Sequence, residues 1–328
     1  MPKVSVIIPA YNAEKFLSEA VASVVLQTFK DWECIIVNDA STDGTLNIAR
    51  IWAQYDKRIK VVPLEKNVGL ASARNEGAKN SQGHYLAFLD SDDIWSPHKL
   101  AHSVQVLETT KTIALINCYF QFYDNTYQIR RKVLIPFLKA PFFGYKDLLM
   151  KKVRSSIPSS LVLTRESFEE INGFNAFLPA VEDLDFLLRL TRTTGKKAFI
   201  TPEFMLYYRL HKKQMSQAKW YSLVTSSNYV LARELIAGNI DLPTAKRILR
   251  RFLMSKFFLV PSLRFKIQAL FNSALMDPLG FLKEELLQRI QWNLFTPPPW
   301  EKPDFKREQH KFNKFLHKIH TLIQEVMR

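Results

Sequence analysis

Two aspartates one residue apart, Asp90 and Asp92, come directly after an apolar run at residues 84–89 that is typical of a β-strand. Open α/β sheets bind their ligands at the carboxyl ends of the strands, and a D-x-D pair there can hold a hard divalent cation together with a sugar hydroxyl. Because such a cation binds diphosphate oxygens well, the pair indicates chemistry on a nucleotide-activated substrate. A loop with a helix cap is the simpler alternative, since Ser96 and Pro97 begin a helix just downstream.

A second acidic group, Glu182, Asp183 and Asp185, opens an apolar helical pattern further along the chain. Carboxylates in a first helical turn are commonly simple partners of the helix dipole. Beyond them, His211 ends a strand pattern and is followed by two lysines, which is the usual setting of a surface histidine. Neither feature establishes a site by itself.

These residues must be positioned by the β-α units that fill the first hundred residues. Apolar patterns predict strands at residues 4–8, 33–37, 59–62 and 84–89, and helical spacing predicts a helix after each of the first three. Repeated β-α units imply a parallel, doubly wound sheet whose ligand crevice lies at the carboxyl ends of the strands. Residues 111–218 predict a second, mixed half, and residues 219–328 predict a basic helical extension.

Polar and aromatic residues at these predicted strand ends suit a nucleotide. Asp39 can accept the imide N–H of uracil or thymine, and Tyr11 can stack on the base. Asn12, Ser41 and Thr42 are at least as well suited to plain helix N-caps. Arg74 could clamp a phosphate or form an ordinary surface ion pair, and the sequence leaves both open.

The composition favours an enzyme without a membrane span. In the 328 residues no apolar run reaches the roughly 18 needed to cross a bilayer, and the apolar stretch at the N-terminus is too short for a signal peptide. The two cysteines, Cys34 and Cys118, lie far apart in apolar runs without metal-binding spacing, which favours buried thiols in a reducing compartment. The sequence therefore predicts a cytoplasmic or peripheral protein.

The net charge of +15 suits nucleic acid, an anionic membrane or anionic substrates. Residues 219–328 hold 18 Lys and Arg against 9 Asp and Glu, so most of the excess lies away from the paired aspartates. No nucleic-acid partner is predicted, because no recognition motif is present and the placed carboxylates would repel phosphate without a metal. A nucleotidyltransferase would ordinarily have a Gly-rich phosphate loop, which is absent near Pro9.

A basic amphipathic helix is predicted at the end of the chain. Its apolar face comprises Phe305, Phe312, Phe315, Leu316, Ile319, Leu322, Ile323 and Val326. Lys311, Lys314 and Lys318 lie beside that face. Such a helix either docks on its own protein, the slightly favoured alternative, or makes peripheral contact with an anionic membrane.

The ordered set of motifs over about residues 1–218 resembles glycosyltransferase family 2. The motifs are VSVIIPAYN, IIVNDASTDGT, NVGLASARNEG, FLDSDD, VEDLDFLLRL and YYRLH. The resemblance implies a GT-A fold, a nucleotide-diphosphate sugar donor, a divalent metal (Mn²⁺ or Mg²⁺) and inversion at the anomeric carbon. The predicted fold class is therefore α/β, a Rossmann-like, doubly wound and mainly parallel GT-A sheet with a C-terminal helical extension.

The resemblance also implies roles for single residues. Asp39 matches the residue that contacts the base, Asp90 lies near the ribose and metal, and Asp92 ligates the metal. Asp183 matches the general base, with Glu182 and Asp185 as neighbouring competitors that point in other directions. The predicted donor-binding residues are Pro9, Ala10, Tyr11, Glu14, Asp39, Asn67, Arg74 and Asp90, and the predicted metal ligands are Asp92, Asp90 and His211.

Two departures from the family pattern lie before the second acidic group. Asn172 stands where the first glycine of a Gly-Gly turn is frequent, and Val181 stands where glycine is frequent, which affects the shape of the acceptor pocket. The chain also has no Q-x-x-R-W sequence, which processive members usually have.

The predicted function is therefore transfer of one sugar at a time from a UDP- or dTDP-linked donor to a saccharide or lipid-linked hydroxyl in surface polysaccharide or glycolipid biosynthesis. An inactive homologue that acts as a membrane-bound scaffold is the alternative. The predicted domains are a nucleotide-sugar half (1–110), an acceptor half (111–218) and the helical extension (219–328).

Overall fold

The computed structural model describes residues 1–133, 141–149, 157–178, 180–211, 220–244 and 305–328. The chain forms two compact units, one of residues 1–212 with 307–328 and the other of residues 213–306. A single sheet runs across residue 110, where the two predicted halves of the GT-A domain meet, and residues 307–328 of the predicted extension belong to the first unit. In the second unit, the described residues include a helix at Trp220–Ile236.

The β-α units of the first hundred residues form where the apolar patterns predict them. Their elements are β1 (Val4–Ala10), α1 (Leu17–Val25), β2 (Trp32–Asn38), α2 (Thr45–Tyr55), β3 (Ile59–Pro63), α3 (Leu70–Lys79) and β4 (Tyr85–Phe88). All seven residues of β1 and of β2 are buried, because helices and loops cover both faces of this part of the sheet. That double burial explains why these strands are mostly apolar rather than alternating, with Ser5 and Glu33 hydrogen-bonded to each other at 2.8 Å.

The remaining strands of the first unit extend the same sheet, and further helices lie between or after them in the chain. They are β5 (Ile94–Trp95), α4 (Lys99–Thr110), β6 (Ala114–Tyr123), β7 (Ile129–Val133), β8 (Phe142–Phe143), α5 (Tyr145–Leu149), a 3₁₀ turn (Pro158–Ser160), β9 (Leu161–Thr164), α6 (Arg165–Glu170), α7 (Glu182–Thr193), β10 (Ala198–Leu210) and a C-terminal helix (Lys306–Val326).

The ten strands form one mixed sheet in the order β3-β2-β1-β4-β9-β6-β10-β5, with β7 beside β6 and β8 beside β10. The pairs β1–β2, β2–β3, β1–β4 and β6–β10 are parallel, and β9 runs antiparallel between β4 and β6. The predicted α/β class with a mainly parallel core is confirmed. Because β1, β2, β4, β6 and β10 share one direction, their carboxyl ends meet at one edge of the sheet.

The C-terminal helix docks on the first unit through its apolar face. Phe312 stacks on Tyr207 at a ring-centroid distance of 4.1 Å and meets Phe122 at 5.1 Å. Phe315, Leu316 and Ile319 are buried beside it. Each such burial contributes about 1.5–3 kcal/mol to folding. Docking, the alternative favoured from the sequence, is what the structure shows, so this apolar face is not available for insertion into a membrane.

Polar contacts fix the register of the docked helix. The side chain of Gln309 accepts from the backbone N–H of Ile129 at 2.7 Å and donates to the carbonyl of Tyr127 at 3.0 Å. Glu308 pairs with Lys132 at 3.2 Å. No helix in the described ranges is long and apolar enough to cross a membrane.

Candidate active site

The loops that follow β1 and β2 brace each other at the carboxyl edge of the sheet. The backbone N–H of Asn12 donates to Ser41 Oγ at 3.0 Å, and Asn12 Oδ1 accepts from the backbone N–H of Thr42 at 2.8 Å. These side chains therefore join two loops instead of capping helices. Tyr11, in the loop after β1, has 52% of its surface exposed, so its ring is free to stack on a ligand.

Asp39 ties the end of β2 to the loop before α3. Its two carboxylate oxygens accept from the backbone N–H groups of Val68, at 2.7 Å, and Gly69, at 3.0 Å. Asn67 donates to the carbonyl of Asp39 at 3.2 Å, so the structure brings these two predicted donor residues together. A carboxylate offers about four lone-pair sites, which leaves acceptor capacity for a base imide after both bonds are made.

The other predicted donor residues of the first loop have supporting positions. Pro9 and Ala10 are buried in β1 and pair with Val37 and Asn38 of β2, so they position the loop that carries Tyr11. Glu14 Oε2 accepts from the backbone N–H of Gly44 at 2.9 Å, at the start of α2.

Arg74 is a buried link between the two acidic motifs. Only 1% of its side chain is exposed, and it donates from Nη2 to Asp90 Oδ1 at 2.6 Å and from Nη1 to Glu182 Oε1 at 2.9 Å. Its guanidinium lies 5.3 Å from the ring centroid of Phe174. Arg74 is thus neither a surface pair nor a free phosphate clamp, the two alternatives that the sequence left open.

Asp90 makes an ion pair that was not predicted from the sequence. A buried guanidinium requires nearby negative charge, and Asp90 supplies it by turning toward Arg74. In the parts of the chain that the structure describes, no three His, Cys, Asp or Glu side chains converge as metal ligands. The predicted ligand set of Asp90, Asp92 and His211 is therefore not formed as a cluster.

Asp92 and His211 do come together. His211 Nε2 lies 2.9 Å from Asp92 Oδ2, and the His211 ring lies 4.8 Å from that of Phe16. At this distance the two side chains are hydrogen-bonded to each other. A carboxylate and an imidazole are both groups that bind divalent ions, so this pair is the part of the predicted ligand set that the structure brings together.

The three acids at the start of α7 have different surroundings. Glu182 is held by Arg74, and Asp185 is fully buried and pairs with Arg189 at 2.8 Å. Arg189 also donates to the carbonyls of Ile171 and Gly173, both at 2.7 Å, so the Asp185 pair anchors the preceding turn. Asp185 is therefore a structural residue.

Asp183 differs from both neighbours because no side chain among the described residues binds its carboxylate, although backbone N–H groups at the start of α7 donate to it. Burial and the adjacent charge of Glu182 raise the pKa of Asp183 to about 7, against the opposing effects of the backbone donors and Arg74. A carboxyl with this pKa is half ionised near neutrality, the range in which a general base works best.

The backbone before α7 is unusual at Val181. This residue is the N-cap of α7 and adopts a left-handed conformation, with φ 56° and ψ 24°. A β-branched residue rarely takes this conformation, and such strain is concentrated at functional sites. The position where glycine is frequent in the family therefore keeps the glycine-like backbone while it carries a side chain.

Comparison with known proteins identifies the family of this chain. The family model described as Glycosyl transferase family 2 matches residues 5–172. The chain belongs to glycosyltransferase family 2. The matched residues include Asp39, Arg74, Asp90 and Asp92 and end before α7, so the assignment of Asp183 rests on its surroundings.

Two relatives of this chain are glycosyltransferases whose names state a pathway or a substrate. TuaG of Bacillus subtilis, a glycosyltransferase assigned to teichuronic acid biosynthesis, is 35% identical over 67% of this chain and 83% of its own length. WfaP of Escherichia coli, named UDP-Glc:alpha-D-GlcNAc-diphosphoundecaprenol beta-1,3-glucosyltransferase, is 34% identical over 70% of this chain and 85% of its own. Both relatives are named as glycosyltransferases, which agrees with the family assignment.

Solved structures share the fold. Staphylococcus aureus TarS, residues 1–349 in complex with UDP-GlcNAc, has a TM-score of 0.64 and 20% identity over 85% of this chain and 82% of that one. A mannosyltransferase of Pyrobaculum calidifontis in complex with GDP-Man and Mn²⁺ has a TM-score of 0.59 and 19% identity over 98% and 86%. At these identities the likeness establishes the GT-A fold, and the Mn²⁺ complex shows that a protein with this fold binds a divalent metal.

Two residues of this family 2 site were missed in the sequence. Ser159 Oγ accepts from the backbone N–H of Asp90 at 3.0 Å, and nothing in its local pattern signals that contact. Arg209 Nε donates to the carbonyl of Asp92 at 2.7 Å. Arg209 lies inside the YYRLH motif and is almost fully buried. An arginine within an apolar strand pattern is unusual, and this could have signalled it from the sequence.

Proposed function

We propose that this glycosyltransferase is inverting and non-processive, and that it moves a hexose from a UDP- or dTDP-linked donor to a hydroxyl of a saccharide or lipid-linked acceptor. The printed name of WfaP, with a UDP-linked donor and a diphosphoundecaprenol-linked acceptor, supports this choice of substrates. The family and the surroundings of Asp183 support the reaction type.

The observation that carries the proposal is the contrast among the three acids of α7. Glu182 and Asp185 are paired with arginines, whereas Asp183 has no side-chain partner among the described residues and its pKa is raised to about 7. In the reaction, the acceptor oxygen bonds to the anomeric carbon, its proton passes to Asp183, and the bond to the nucleoside diphosphate breaks on the opposite face. A positioned base of this kind typically contributes about 10²–10⁴-fold to the rate.

Asp92 and His211 would hold the Mn²⁺ or Mg²⁺ ion of the proposed reaction. Such an ion stabilises the negative charge that develops on the departing diphosphate. Arg74 pairs with Asp90 and Glu182, so that the proton acceptor of the proposed reaction is the remaining carboxylate, Asp183. Tyr11 and Asp39 would hold the base.

The deciding experiment is Asp183→Asn with nucleotide binding and transfer measured separately. We expect turnover to fall about 10²–10⁴-fold, while affinity for UDP with Mn²⁺ stays within about twofold, because the amide keeps the shape and cannot accept a proton. The matched control is Glu166→Gln, which removes an exposed acid from the same second position of helix α6. If both variants lose activity equally, a helix-dipole role explains Asp183.

Donor hydrolysis separates the enzyme from an inactive scaffold. An enzyme slowly releases nucleoside diphosphate from its donor in a metal-dependent way, even without acceptor. A protein that only scaffolds others releases none above the uncatalysed rate. Incubating the protein with UDP-hexoses and Mn²⁺, with and without chelator, therefore tests the proposed activity before the acceptor is known.

The proposed location is the cytoplasmic side of an anionic membrane. The apolar face of the C-terminal helix is buried, so membrane contact would depend on the exposed basic stripe of Arg307, Lys311, Lys314 and Lys318. Each such cation near an anionic surface contributes about 1 kcal/mol. Changing the three lysines to glutamate should reduce binding to vesicles containing phosphatidylserine without loss of turnover on a soluble acceptor. Undiminished vesicle binding would exclude this surface.

A further inference from the structure

Arg209 lies behind the proposed metal-binding residues and contacts the backbone that carries them. Its Nε donates to the carbonyl of Asp92 at 2.7 Å, and its own backbone N–H donates to Asp93 Oδ1 at 3.1 Å. Two residues later the same strand end presents His211, which meets Asp92. Arg209 therefore contacts the backbone of Asp92 and lies two residues before His211, and Asp92 and His211 are the two residues that would hold the ion.

The guanidinium of Arg209 is sealed from water. Its side chain is 1% exposed, and it lies 4.9 Å from the ring centroid of Phe16, 4.7 Å from Phe122 and 5.6 Å from Tyr127. A cation in such surroundings requires paired carboxylates. Asp124 accepts from Nη1 at 3.0 Å, and Glu19 of α1 accepts from Nη2.

Glu19 connects this cation to the C-terminal helix. Its Oε1 accepts from the hydroxyl of Tyr127 at 2.6 Å and from His320 Nε2 at 2.8 Å, while Oε2 faces Arg209. Burial favours the neutral acid, but the charge of Arg209 and the donors Tyr127 and His320 keep the pKa of Glu19 below its usual value. Arg209 therefore binds one oxygen of the Glu19 carboxylate, whereas the other oxygen is bound by Tyr127 and by His320 of the C-terminal helix.

We propose that His320 is a positioning residue of the donor site, and that the C-terminal helix completes that site by orienting Glu19, which in turn orients Arg209 and the backbone of Asp92. The inference rests on the proposed function, since it assigns His320 an effect on binding of a nucleotide with its metal. Docking alone does not require it, because Phe312, Phe315, Leu316 and Ile319 already bury the helix against the unit.

The two roles predict different measurements. If His320 only helps the helix to dock, its loss lowers the free energy of unfolding and leaves ligand affinity unchanged. If His320 positions the site, its loss raises the dissociation constant for UDP with Mn²⁺ and the KM for donor, and has little effect on kcat at saturating donor. A side chain that restores the hydrogen bond to Glu19 should then restore the affinity.

The test compares His320→Ala, His320→Gln and His317→Ala in the full chain. His317 is exposed on the same helix and is the matched control. We expect His320→Ala to weaken binding of UDP with Mn²⁺ about threefold to tenfold by calorimetry, the range of modest coupling between residues. His320→Gln, whose amide nitrogen can replace Nε2, should stay within about twofold of the wild type, as should His317→Ala.

Equal affinity of His320→Ala and the wild type would overturn the inference, as would an equal loss in His317→Ala. If His320→Ala does not fold, Glu19→Gln provides the second test, because it keeps the shape and removes the charge that orients Arg209. It should weaken binding of UDP with Mn²⁺ at least as much, and unchanged affinity would again overturn the inference. If the wild type binds no nucleotide with any metal, the proposed function itself fails.

Discussion

Arg74 and Arg209 are both almost fully buried and both contact the D-x-D segment, but they hold different parts of it. Arg74 binds the side chains of Asp90 and Glu182, whereas Arg209 binds the backbone carbonyl of Asp92 and is balanced by Glu19 and Asp124 outside the motifs. The difference indicates that Arg74 controls the charge of the reacting region and Arg209 controls its geometry. Substitutions of Arg74 should therefore affect turnover, and substitutions of Arg209 should affect donor binding.

The largest effect is expected for Arg74→Met. Removing a buried cation leaves two carboxylates without compensation, which typically costs about 3–5 kcal/mol of unfolding free energy. The same change removes a charge that lowers the pKa of Asp183, so that pKa should rise and turnover at pH 7 should fall. Urea denaturation and kcat measure the two effects. Arg58→Met, which removes an arginine paired with Asp56 and about one-third exposed, should cost no more than about 1 kcal/mol.

Loss of metal-dependent donor binding is expected for Asp92→Ala. His211→Ala should weaken support by Mn²⁺ more than support by Mg²⁺, because imidazole suits the softer ion. Titration of both metals in a donor-hydrolysis assay measures this. Full activity of the aspartate variant in excess chelator would remove Asp92 from the metal site, and an unaltered metal preference would remove His211.

A smaller effect, confined to binding, is expected for Arg209→Lys. Lysine keeps the charge but cannot donate at once to Asp92, Asp124 and Glu19 in the planar geometry of a guanidinium. The KM for donor should rise about tenfold while kcat stays within about threefold. A fall in kcat at unchanged KM would contradict the division of roles between the two arginines.

The smallest effect is expected for Val181→Gly. Glycine accepts the left-handed backbone without strain but loses more entropy on folding, so the free energy of unfolding should change by less than about 1 kcal/mol. Because Val181 directly precedes Glu182 and Asp183, the KM for acceptor should change and the KM for donor should not. A change in the KM for donor alone would contradict this prediction and indicate that Val181 affects donor binding.

Much of the fold was predictable because its signals are local. The residues of β1, β2 and β4 are mostly apolar and all buried, and the carboxyl ends of parallel strands must meet at one edge of the sheet. The juxtaposition of Asp92 and His211, 119 residues apart, also followed from the motif order that the family shares. The amphipathic pattern of the last helix predicted an apolar contact but not its partner.

The remaining site contacts depend on long-range charge balance, which no local pattern contains. Asp90 carries the same carboxyl group as Asp92, and the sequence does not show that the buried guanidinium of Arg74 binds one of its oxygens. The same holds for Asp183, whose availability depends on Arg74 and Arg189 neutralising the acids beside it. The link from His320 to Glu19 spans 301 residues and becomes visible only when the helix is docked.

The pH dependence of kcat at saturating donor and acceptor tests most directly the claim that Asp183 is the proton acceptor. With its pKa raised to about 7, Asp183 is protonated below that pH and cannot accept a proton, so kcat should fall as the pH decreases through 7 and level off above it. The residual turnover of Asp183→Asn should show no such inflection. A wild-type profile that is flat from pH 5.5 to 8.5, or an inflection that persists in Asp183→Asn, would contradict the account.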